Sequence, residues 1–290
     1  METDVKFVFQ AIGTQWEIDV KIPNSRKGVL LLKIKNRIEE FDKNYSRFRQ
    51  DSLVSKISRT SGSYFMPLDF SPLFEAYKTL YKKTQGLFTP LIGNVLKDAG
   101  YDENYSLQRK TELSRPLPLD KILTFNNGEL IVIQPVMLDF GAAGKGYVID
   151  IIGKLLEDFG AEEFCIDAGG DILKKGSALK IGLENPLDTA QVIGSIEIQN
   201  NSICGSAGNR RKWNEFHHII NPHTLKSPTD ILAVWVIANT ALIADAVSTA
   251  LFLDPRVEVA NTYPCEYLIM FRDNTIQKSK HFNAELYYSE

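Results

Sequence analysis

From residue 129 onward, segments with the pattern of a β-strand follow one another with only two helical segments between them. The helical patterns cover 146–159 and 240–254. The strand patterns cover 129–135, 136–140, 163–167, 178–186, 192–199, 201–208, 230–239 and 266–273. A regular parallel α/β fold needs a helical crossover after each strand, and most of these strands have none. The order therefore predicts an α+β fold.

The first third of the chain adds a strand pair and two helices. Residues 6–22 alternate like a strand pair broken at Gly13, and apolar residues recur at helical spacing over 27–41 and 72–84. There is no internal repeat, low-complexity tract or clear linker in the 290 residues. We therefore expect a single domain over residues 1–290.

Composition and charge exclude several classes of protein. The net charge of -3 provides no basic surface, which argues against nucleic acid as a partner. The three cysteines, Cys165, Cys204 and Cys265, are too far apart for a zinc motif or a disulfide framework, and we expect free thiols. The first residues lack the pattern of a signal peptide, and no apolar run is long enough to cross a bilayer. A cytoplasmic protein without a membrane anchor is expected.

The stretch "LDFGAAGKGYVID" at 138–150 places three glycines and Lys145 in a turn before a helix. Glycines let backbone N–H groups converge on an anion, and the helix N-terminus adds a favourable dipole. The spacing is not that of a Walker A loop, because Gly146 follows Lys145, and it is not a Rossmann fingerprint. The loop therefore predicts an anion site without identifying a family.

The helix over 240–254 carries Asp245 among apolar and small residues. If Thr240 is near the N-cap, Asp245 lies beyond the first turn and its carboxylate needs another partner. Thr249 follows four residues later on the same face, so the two side chains form a pair of hard oxygen ligands suited to Mg²⁺. A core aspartate bonded to a backbone amide or an arginine is the alternative, and the spacing leaves both open.

Three shorter motifs are less informative. In "HHIINPHT", His218 and Thr224 could line a ligand pocket or lie in a solvated turn. The glycines of "CIDAGGDI" allow close approach of a ligand, although a tight turn is favoured. Arg47 and Arg49 in "SRFRQDS" could contact an anion, but a surface role is the default for arginine.

Together these motifs occur in the order found in one family. The chain resembles the ApbE family, the Mg²⁺-dependent FAD:protein FMN transferases, over nearly its whole length. The matching stretches are "AIGTQWEI", "YSRFRQDSLVSKI", "GLFTPLIGNVLKDAGYD", "LDFGAAGKGYVIDIIGKLLEDFGAEEFCIDAGGDI", "HHIINPHT" and "IADAVSTALF". The resemblance implies an ApbE-like, T-fold-like architecture of mixed or antiparallel sheets flanked by helices.

The resemblance also implies roles for the metal-binding helix and the glycine loop. Asp245, Thr249 and the carbonyl of Ala142 would hold Mg²⁺, and Ser248 occupies a position where some relatives add a further metal contact. Lys145, like Asp245, would be a catalytic residue, and it would also help to bind FAD.

Further FAD contacts are implied around the nucleotide. Asp139 would help bind FAD, and His218 and Thr224 would border the flavin nucleotide. Ile12 replaces the methionine usual in the family's opening motif. The isoalloxazine and ribityl region would be lined by Phe48, Leu87, Phe88 and Thr89.

The activity implied is transfer of FMN from FAD to a Ser or Thr hydroxyl of an acceptor flavoprotein, with release of AMP. Mg²⁺ and Lys145 would neutralise charge on the pyrophosphate and on the departing AMP. Two alternatives remain at this stage: an FAD pyrophosphatase that yields FMN and AMP, and a non-catalytic flavin-binding protein.

Three departures from the family pattern affect the expected FAD site. Thr89 replaces a carboxylate, and Phe48 replaces a residue that commonly carries a hydroxyl or amide. Leu225 stands where the pattern has glycine, so the turn there must differ or carry strain. The metal helix and the glycine loop match the pattern, which favours retained FAD and Mg²⁺ binding.

Overall fold

The computed structural model describes residues 3–287. The strands are β1 (Thr3–Ala11), β2 (Thr14–Ile22), β3 (Gly62–Phe65), β4 (Leu123–Asn126), β5 (Glu129–Val132), β6 (Phe164–Ala168), β7 (Ile172–Lys175), β8 (Leu179–Asn185), β9 (Asp188–Ile198), β10 (Asn201–Ala207), β11 (Lys212–Trp213), β12 (Phe216–His217), β13 (Ile231–Ala238), β14 (Cys265–Phe271), β15 (Ile276–Lys278) and β16 (Glu285–Leu286). The α-helices are α1 (Lys27–Tyr45), α2 (Leu53–Ile57), α3 (Phe70–Lys83), α4 (Gly93–Asp98), α5 (Leu119–Ile122), α6 (Gly144–Asp158), α7 (Ala241–Leu253) and α8 (Val257–Ala260). Short 3₁₀ helices cover Asn24–Arg26 and Pro90–Ile92.

An eight-stranded sheet in the order β1-β2-β6-β7-β10-β13-β14-β15 forms the centre of the fold. Its neighbouring strands pair antiparallel. Two three-stranded sheets, β16-β9-β8 and β3-β5-β4, and the two-stranded β11-β12 lie outside it. The predicted α+β class with antiparallel sheets and helices is confirmed.

Both faces of the central sheet are buried. Successive side chains of β13 point to opposite faces, and each set belongs to a different core. Val234 and Val236 belong to the core that the sheet shares with the helices α1, α3, α6 and α7. Ala233 and Trp235, on the opposite face, pack with residues of β8 and β9 in a second core. The run "ILAVWVIA" is continuously apolar because both of its faces are buried.

The strand pair predicted at the N-terminus is confirmed as the hairpin β1-β2. Its two-residue turn is Ile12 and Gly13, with φ of 48° and 71°, and Ala11 pairs with Thr14 across it. Positive φ at both positions is the type I′ geometry that suits the twist of a hairpin. Ile12 is β-branched, so its left-handed conformation is strained.

The strand predicted over 136–140 is wrong. Within residues 3–287 the segment has no strand partner; Asp139 N–H instead donates to Pro90 C=O at 2.8 Å. The first turn of α4 packs directly on the Met137 backbone at Gly93, where a Cβ would overlap Met137. The apolar pattern of 136–140 therefore reflects burial against a helix.

Two further expectations concern cysteines and membranes. Cys165, Cys204 and Cys265 are free, as predicted, and Cys204 is buried. Between residues 3 and 287, none of the helices combines the length and the apolar character needed to cross a bilayer.

Candidate active site

A cavity of about 610 Å³ lies where the glycine loop, α7 and the edges of several strands meet. Its volume falls within the roughly 300–1,000 Å³ typical of small-molecule sites. The predicted site residues on its wall are Phe48, Leu87, Phe88, Thr89, Asp139, Ala142, Lys145, His218, Asp245 and Thr249. Segments separated by up to two hundred residues in the sequence thus meet around one space.

The N-terminal half of α6 and the first turn of α7 are joined beside this cavity. Asp150 accepts hydrogen bonds from the N–H groups of Ala241 at 2.7 Å and Leu242 at 2.8 Å, which caps α7. The helices approach so closely that a Cβ on Gly146 would overlap the carbonyl of Ala241. Gly146 therefore provides clearance between the helices, and Asp150 fixes the position of α7.

Asp245 is buried at this junction, and its Oδ2 accepts a hydrogen bond from Gly146 N–H at 2.8 Å. The predicted N-cap at Thr240 is confirmed by its bond from Ile243 N–H. Burial, with a contribution from nearby Asp171, raises the pKa of Asp245 to about 7. The ionised carboxylate therefore lacks full compensation from the protein alone.

The cavity wall also carries hydroxyl and carbonyl oxygens. Thr249 and Ala142 border the same cavity as Asp245, and Thr249 Oγ1 lies 3.0 Å from Ser206 Oγ. Carboxylate, hydroxyl and carbonyl oxygens are the ligand types that Mg²⁺ takes. No group of three or more His, Cys, Asp or Glu suited to a metal occurs in the described chain. The donor set fits Mg²⁺.

Ser248 is bonded within the protein next to Asp245. Its side chain is buried, its Oγ donates to the carbonyl of Asp245 at 2.9 Å, and Ser206 Oγ lies 2.9 Å from it. Ser248 lies behind Asp245 and Thr249, and the structure does not place it on the cavity wall.

Lys145 extends from the first turn of α6 to a buried carboxylate that the sequence motifs did not single out. Its Nζ donates to Asp171 Oδ2 and, at 3.3 Å, to the carbonyl of Ala168. Asp171 is 1% exposed, and its Oδ1 accepts from Gly205 N–H at 3.1 Å. Burial lowers the pKa of Lys145, but Asp171 and Asp245 outweigh it, so the pKa is raised and the ammonium stays charged.

The "AGGD" stretch is both a turn and part of the wall. Ala168 N–H donates to Asp171 C=O at 2.9 Å, and Gly169 and Gly170 have φ of 68° and 95°. The favoured prediction of a tight turn is therefore confirmed, and both glycines also border the cavity. The signal that could have identified Asp171 was the aspartate placed directly after this glycine turn.

Asp139 is paired with Arg47, which corrects the default surface role of that arginine. Arg47 Nε donates to Asp139 Oδ2, and the arginine side chain is 3% exposed. Its guanidinium carbon lies 4.1 Å from the centre of the Phe48 ring and 5.1 Å from that of Tyr101. Asp139 Oδ1 accepts from Gly141 N–H at 2.8 Å. The pair joins the aromatic wall to the glycine loop.

The neighbouring wall is aromatic and apolar. Phe48 packs edge-on against Tyr101 at 5.4 Å and stacks on Tyr105 at 5.4 Å. Leu87 and Phe88 continue it, and buried Thr89 caps the 3₁₀ helix Pro90–Ile92 by accepting from Leu91 N–H at 3.2 Å. Thr89 thus retains the capping function that a carboxylate could perform at this position.

His218 borders the cavity as a neutral imidazole. Its Nδ1 lies 3.1 Å from the carbonyl of Arg210. A carbonyl only accepts, so Nδ1 carries the proton and Nε2 keeps its lone pair. Burial, followed by the charge of Arg211, lowers the pKa of His218 to about 3.

Ile12 and Thr224 lie outside the wall. Ile12 occupies the β1-β2 turn beside Gly13 and Thr14, which do border the cavity. Thr224 is exposed and donates its N–H to Asn221 Oδ1 at 3.0 Å. Leu225 adopts φ of 59°, so the strain predicted for this turn is present.

Comparisons with known proteins identify relatives of this chain. The ApbE family matches residues 12–266. A protein of Buchnera aphidicola subsp. Schizaphis graminum named FAD:protein FMN transferase is 26% identical over 276 residues, covering 86% of this chain and 79% of the relative. A protein of the same name from Haemophilus influenzae is 26% identical over 259 residues, covering 80% and 73%.

Solved structures show the same fold. The flavin transferase ApbE from Vibrio cholerae superposes with a TM-score of 0.81 at 20% identity, covering 97% of this chain and 99% of that one. The ApbE protein from Thermotoga maritima superposes with a TM-score of 0.82 at 23% identity, covering 97% and 98%. The predicted resemblance is thus confirmed, and the chain belongs to the ApbE family.

Proposed function

We propose that this chain is a Mg²⁺-dependent FAD:protein FMN transferase. It moves FMN from FAD to a Ser or Thr hydroxyl of an acceptor flavoprotein and releases AMP. The observation that carries the proposal is the meeting of Asp245, Thr249, Lys145 and His218 around one cavity. The names of the relatives from Buchnera and Haemophilus support the same activity.

Asp245, Thr249 and the carbonyl of Ala142 would hold Mg²⁺. When bound, this ion neutralises negative charge on pyrophosphate oxygens. The fit rests on the buried Asp245 carboxylate, which receives a backbone N–H but makes no ion pair with a cationic side chain in the described part of the chain. Lys145, at the first turn of α6, would add a positive charge where the phosphates and the departing AMP would lie.

His218 is the group best placed to take the acceptor proton. As the acceptor oxygen bonds to the phosphorus of FMN, its proton passes to His218 Nε2, and the bond between that phosphorus and the bridging oxygen breaks. AMP leaves with the electron pair of that bond. Because burial lowers the pKa of His218 to about 3, the imidazole is neutral at pH 7 and the lone pair of its Nε2 is available.

The rest of the cavity would position the two substrates. The wall formed by Phe48, Leu87 and Phe88 suits the flat isoalloxazine ring. Exclusion of water by this wall would favour transfer to a hydroxyl over hydrolysis. We also propose a cytoplasmic location, which the three free cysteines support.

The experiment combines purified protein, FAD and MgCl₂ with a panel of flavin-free domains from proteins that carry covalent FMN. Covalent labelling is followed by in-gel flavin fluorescence, and AMP by chromatography. We expect labelled domain and AMP in equal amounts, with loss of both in His218→Ala and Asp245→Ala. Rapid AMP release without any labelled domain would contradict the transferase and favour the pyrophosphatase.

A further inference from the structure

Lys145 lies next to a buried carboxylate that it does not bind. Gly146, the following residue, donates its N–H to Asp245 at 2.8 Å, so the Lys145 backbone is adjacent to that carboxylate. The Lys145 ammonium nevertheless bonds to Asp171 and to the carbonyl of Ala168. A buried aspartate within reach of a flexible lysine would ordinarily recruit it.

We propose that Asp171 is a positioning residue that holds the Lys145 ammonium away from Asp245 and so keeps Asp245 free for a divalent cation. This inference rests on the proposed function, because it concerns the metal site of that reaction. Asp171 acts through Lys145, since its side chain bonds to Lys145 and Gly205 and is 2% exposed.

The geometry around Asp171 suits this role. Its two oxygens have different partners: Oδ1 accepts from Gly205 N–H, which anchors the carboxylate to β10, and Oδ2 faces the lysine. The turn from Ala168 to Asp171 also supplies the second acceptor for the ammonium, the Ala168 carbonyl. One turn thus provides both acceptors and competes effectively with Asp245 for the lysine.

If Asp171 loses its charge, the Lys145 ammonium gains by moving to Asp245. It would then neutralise the carboxylate and displace a divalent cation, because both cations compete for the same oxygens. Removing Lys145 as well abolishes the competitor. The expected behaviour is therefore a loss of metal affinity in Asp171→Asn that Lys145→Met reverses, which a merely structural role for Asp171 would not produce.

The test is a Mn²⁺ titration of the purified full chain without FAD or acceptor, followed by electron paramagnetic resonance. We expect Asp171→Asn to weaken Mn²⁺ binding at least tenfold. The double variant Asp171→Asn/Lys145→Met should bind Mn²⁺ within threefold of Lys145→Met alone. Asparagine keeps the bond from Gly205 N–H, so the turn is expected to persist.

Asp167→Asn is the matched control. Asp167 begins the same turn, borders the cavity and accepts from Gly170 N–H at 2.8 Å, but it does not bond to Lys145. Its substitution measures the effect of losing one negative charge nearby. A Mn²⁺ affinity of Asp171→Asn equal to that of Asp167→Asn would overturn the proposal.

A double variant that binds as weakly as Asp171→Asn would overturn it as well. If Asp171→Asn alone fails to fold, the double variant decides, because it removes both members of the buried pair together. Mn²⁺ binding is measured without FMN transfer, so the two proposals can fail separately. If Asp171→Asn weakens Mn²⁺ binding and Lys145→Met reverses the loss, but no acceptor is labelled, only the proposed function is contradicted. If an acceptor is labelled but the Mn²⁺ affinities do not change in this way, only this inference is contradicted.

Discussion

Two ion pairs, Arg47–Asp139 and Lys145–Asp171, lie at the same cavity, and they differ in how firmly the cation is held. Arg47 is bonded to Asp139 and enclosed by the rings of Phe48 and Tyr101, with 3% of its side chain exposed. Lys145 is bonded to Asp171, but 23% of its side chain is exposed. A planar guanidinium between rings is fixed, whereas an ammonium on a four-carbon stem can move. The arginine pair is thus suited to structure and the lysine pair to chemistry.

The largest effect is expected beside the lysine pair, at Asp245. Asp245→Asn removes the charge that would hold Mg²⁺, so FMN transfer should fall by ~10³-fold or more. The metal-free protein should become more stable at pH 8, because a buried charge without full compensation is removed. Labelling rates and calorimetric Tm values test both parts. Transfer within tenfold of the parent would refute the metal assignment.

The arginine pair should instead affect stability. Arg47→Met leaves the Asp139 carboxylate without its cation, and we expect a loss of ~3–5 kcal/mol in the free energy of unfolding. The double variant Arg47→Met/Asp139→Asn should lose clearly less. Lys145→Met is the comparison, with a smaller loss of ~1–3 kcal/mol, because the Lys145 side chain is 23% exposed and its ion pair is more screened by solvent than that of Arg47. Equal losses of unfolding free energy for Arg47→Met and Lys145→Met, measured by urea unfolding, would show that the two ion pairs contribute equally to stability.

The Mg²⁺ requirement and the stability should both depend on pH through Asp245, which lies beside the Lys145–Asp171 pair. Since the pKa of Asp245 is raised to about 7, the concentration of Mg²⁺ needed for half-maximal transfer should rise as pH falls below about 7. The metal-free native state retains a proton that the unfolded chain releases, so its stability should decrease as pH rises from about 4 to 7. Parallel titrations at pH 6 and 8 measure the first effect. A Mg²⁺ requirement that is the same at pH 6 and pH 8 would show that the pKa of Asp245 lies outside this range.

The smallest effect is expected on the aromatic partner of Arg47. Phe48→Tyr keeps the ring against the guanidinium and adds the hydroxyl that the family resemblance implies at this position. Stability should stay within ~0.5 kcal/mol, and the affinity for FAD should change by no more than ~1.5 kcal/mol. Flavin fluorescence titration measures the affinity. A large loss of stability would mean that Phe48 supports the fold beyond its contact with Arg47.

Local patterns predicted most of the elements and part of the site. The hairpin at Gly13, the helices around Lys145 and Asp245, and the N-cap at Thr240 follow from periodicity and capping, which act over a few residues. The prediction of a strand over 136–140 was wrong, because strand pairing depends on a neighbour that is distant in the sequence. The single domain over 1–290 and the roles of the site residues remain predictions.

Local sequence patterns could not predict which charged side chains are buried. Arg47 and Asp171 occur in polar stretches that suit a surface helix entry and a turn, yet both are buried, because Asp139 and Lys145 are brought to them from 92 and 26 residues away. A buried charge is stable only beside its partner, and the partner is set by the packing of separate elements.

The amino-acid sequence by itself therefore determined the family and the α+β class, and it singled out candidate oxygen and nitrogen ligands, since these depend on residue type and short-range spacing. Only the tertiary structure decided which carboxylate receives which cation. That choice pairs Arg47 with Asp139 and Lys145 with Asp171, and within residues 3–287 it leaves Asp245 without an ion pair to a cationic side chain. The reason is that electrostatic partners are chosen by distance and burial, which chain order does not contain.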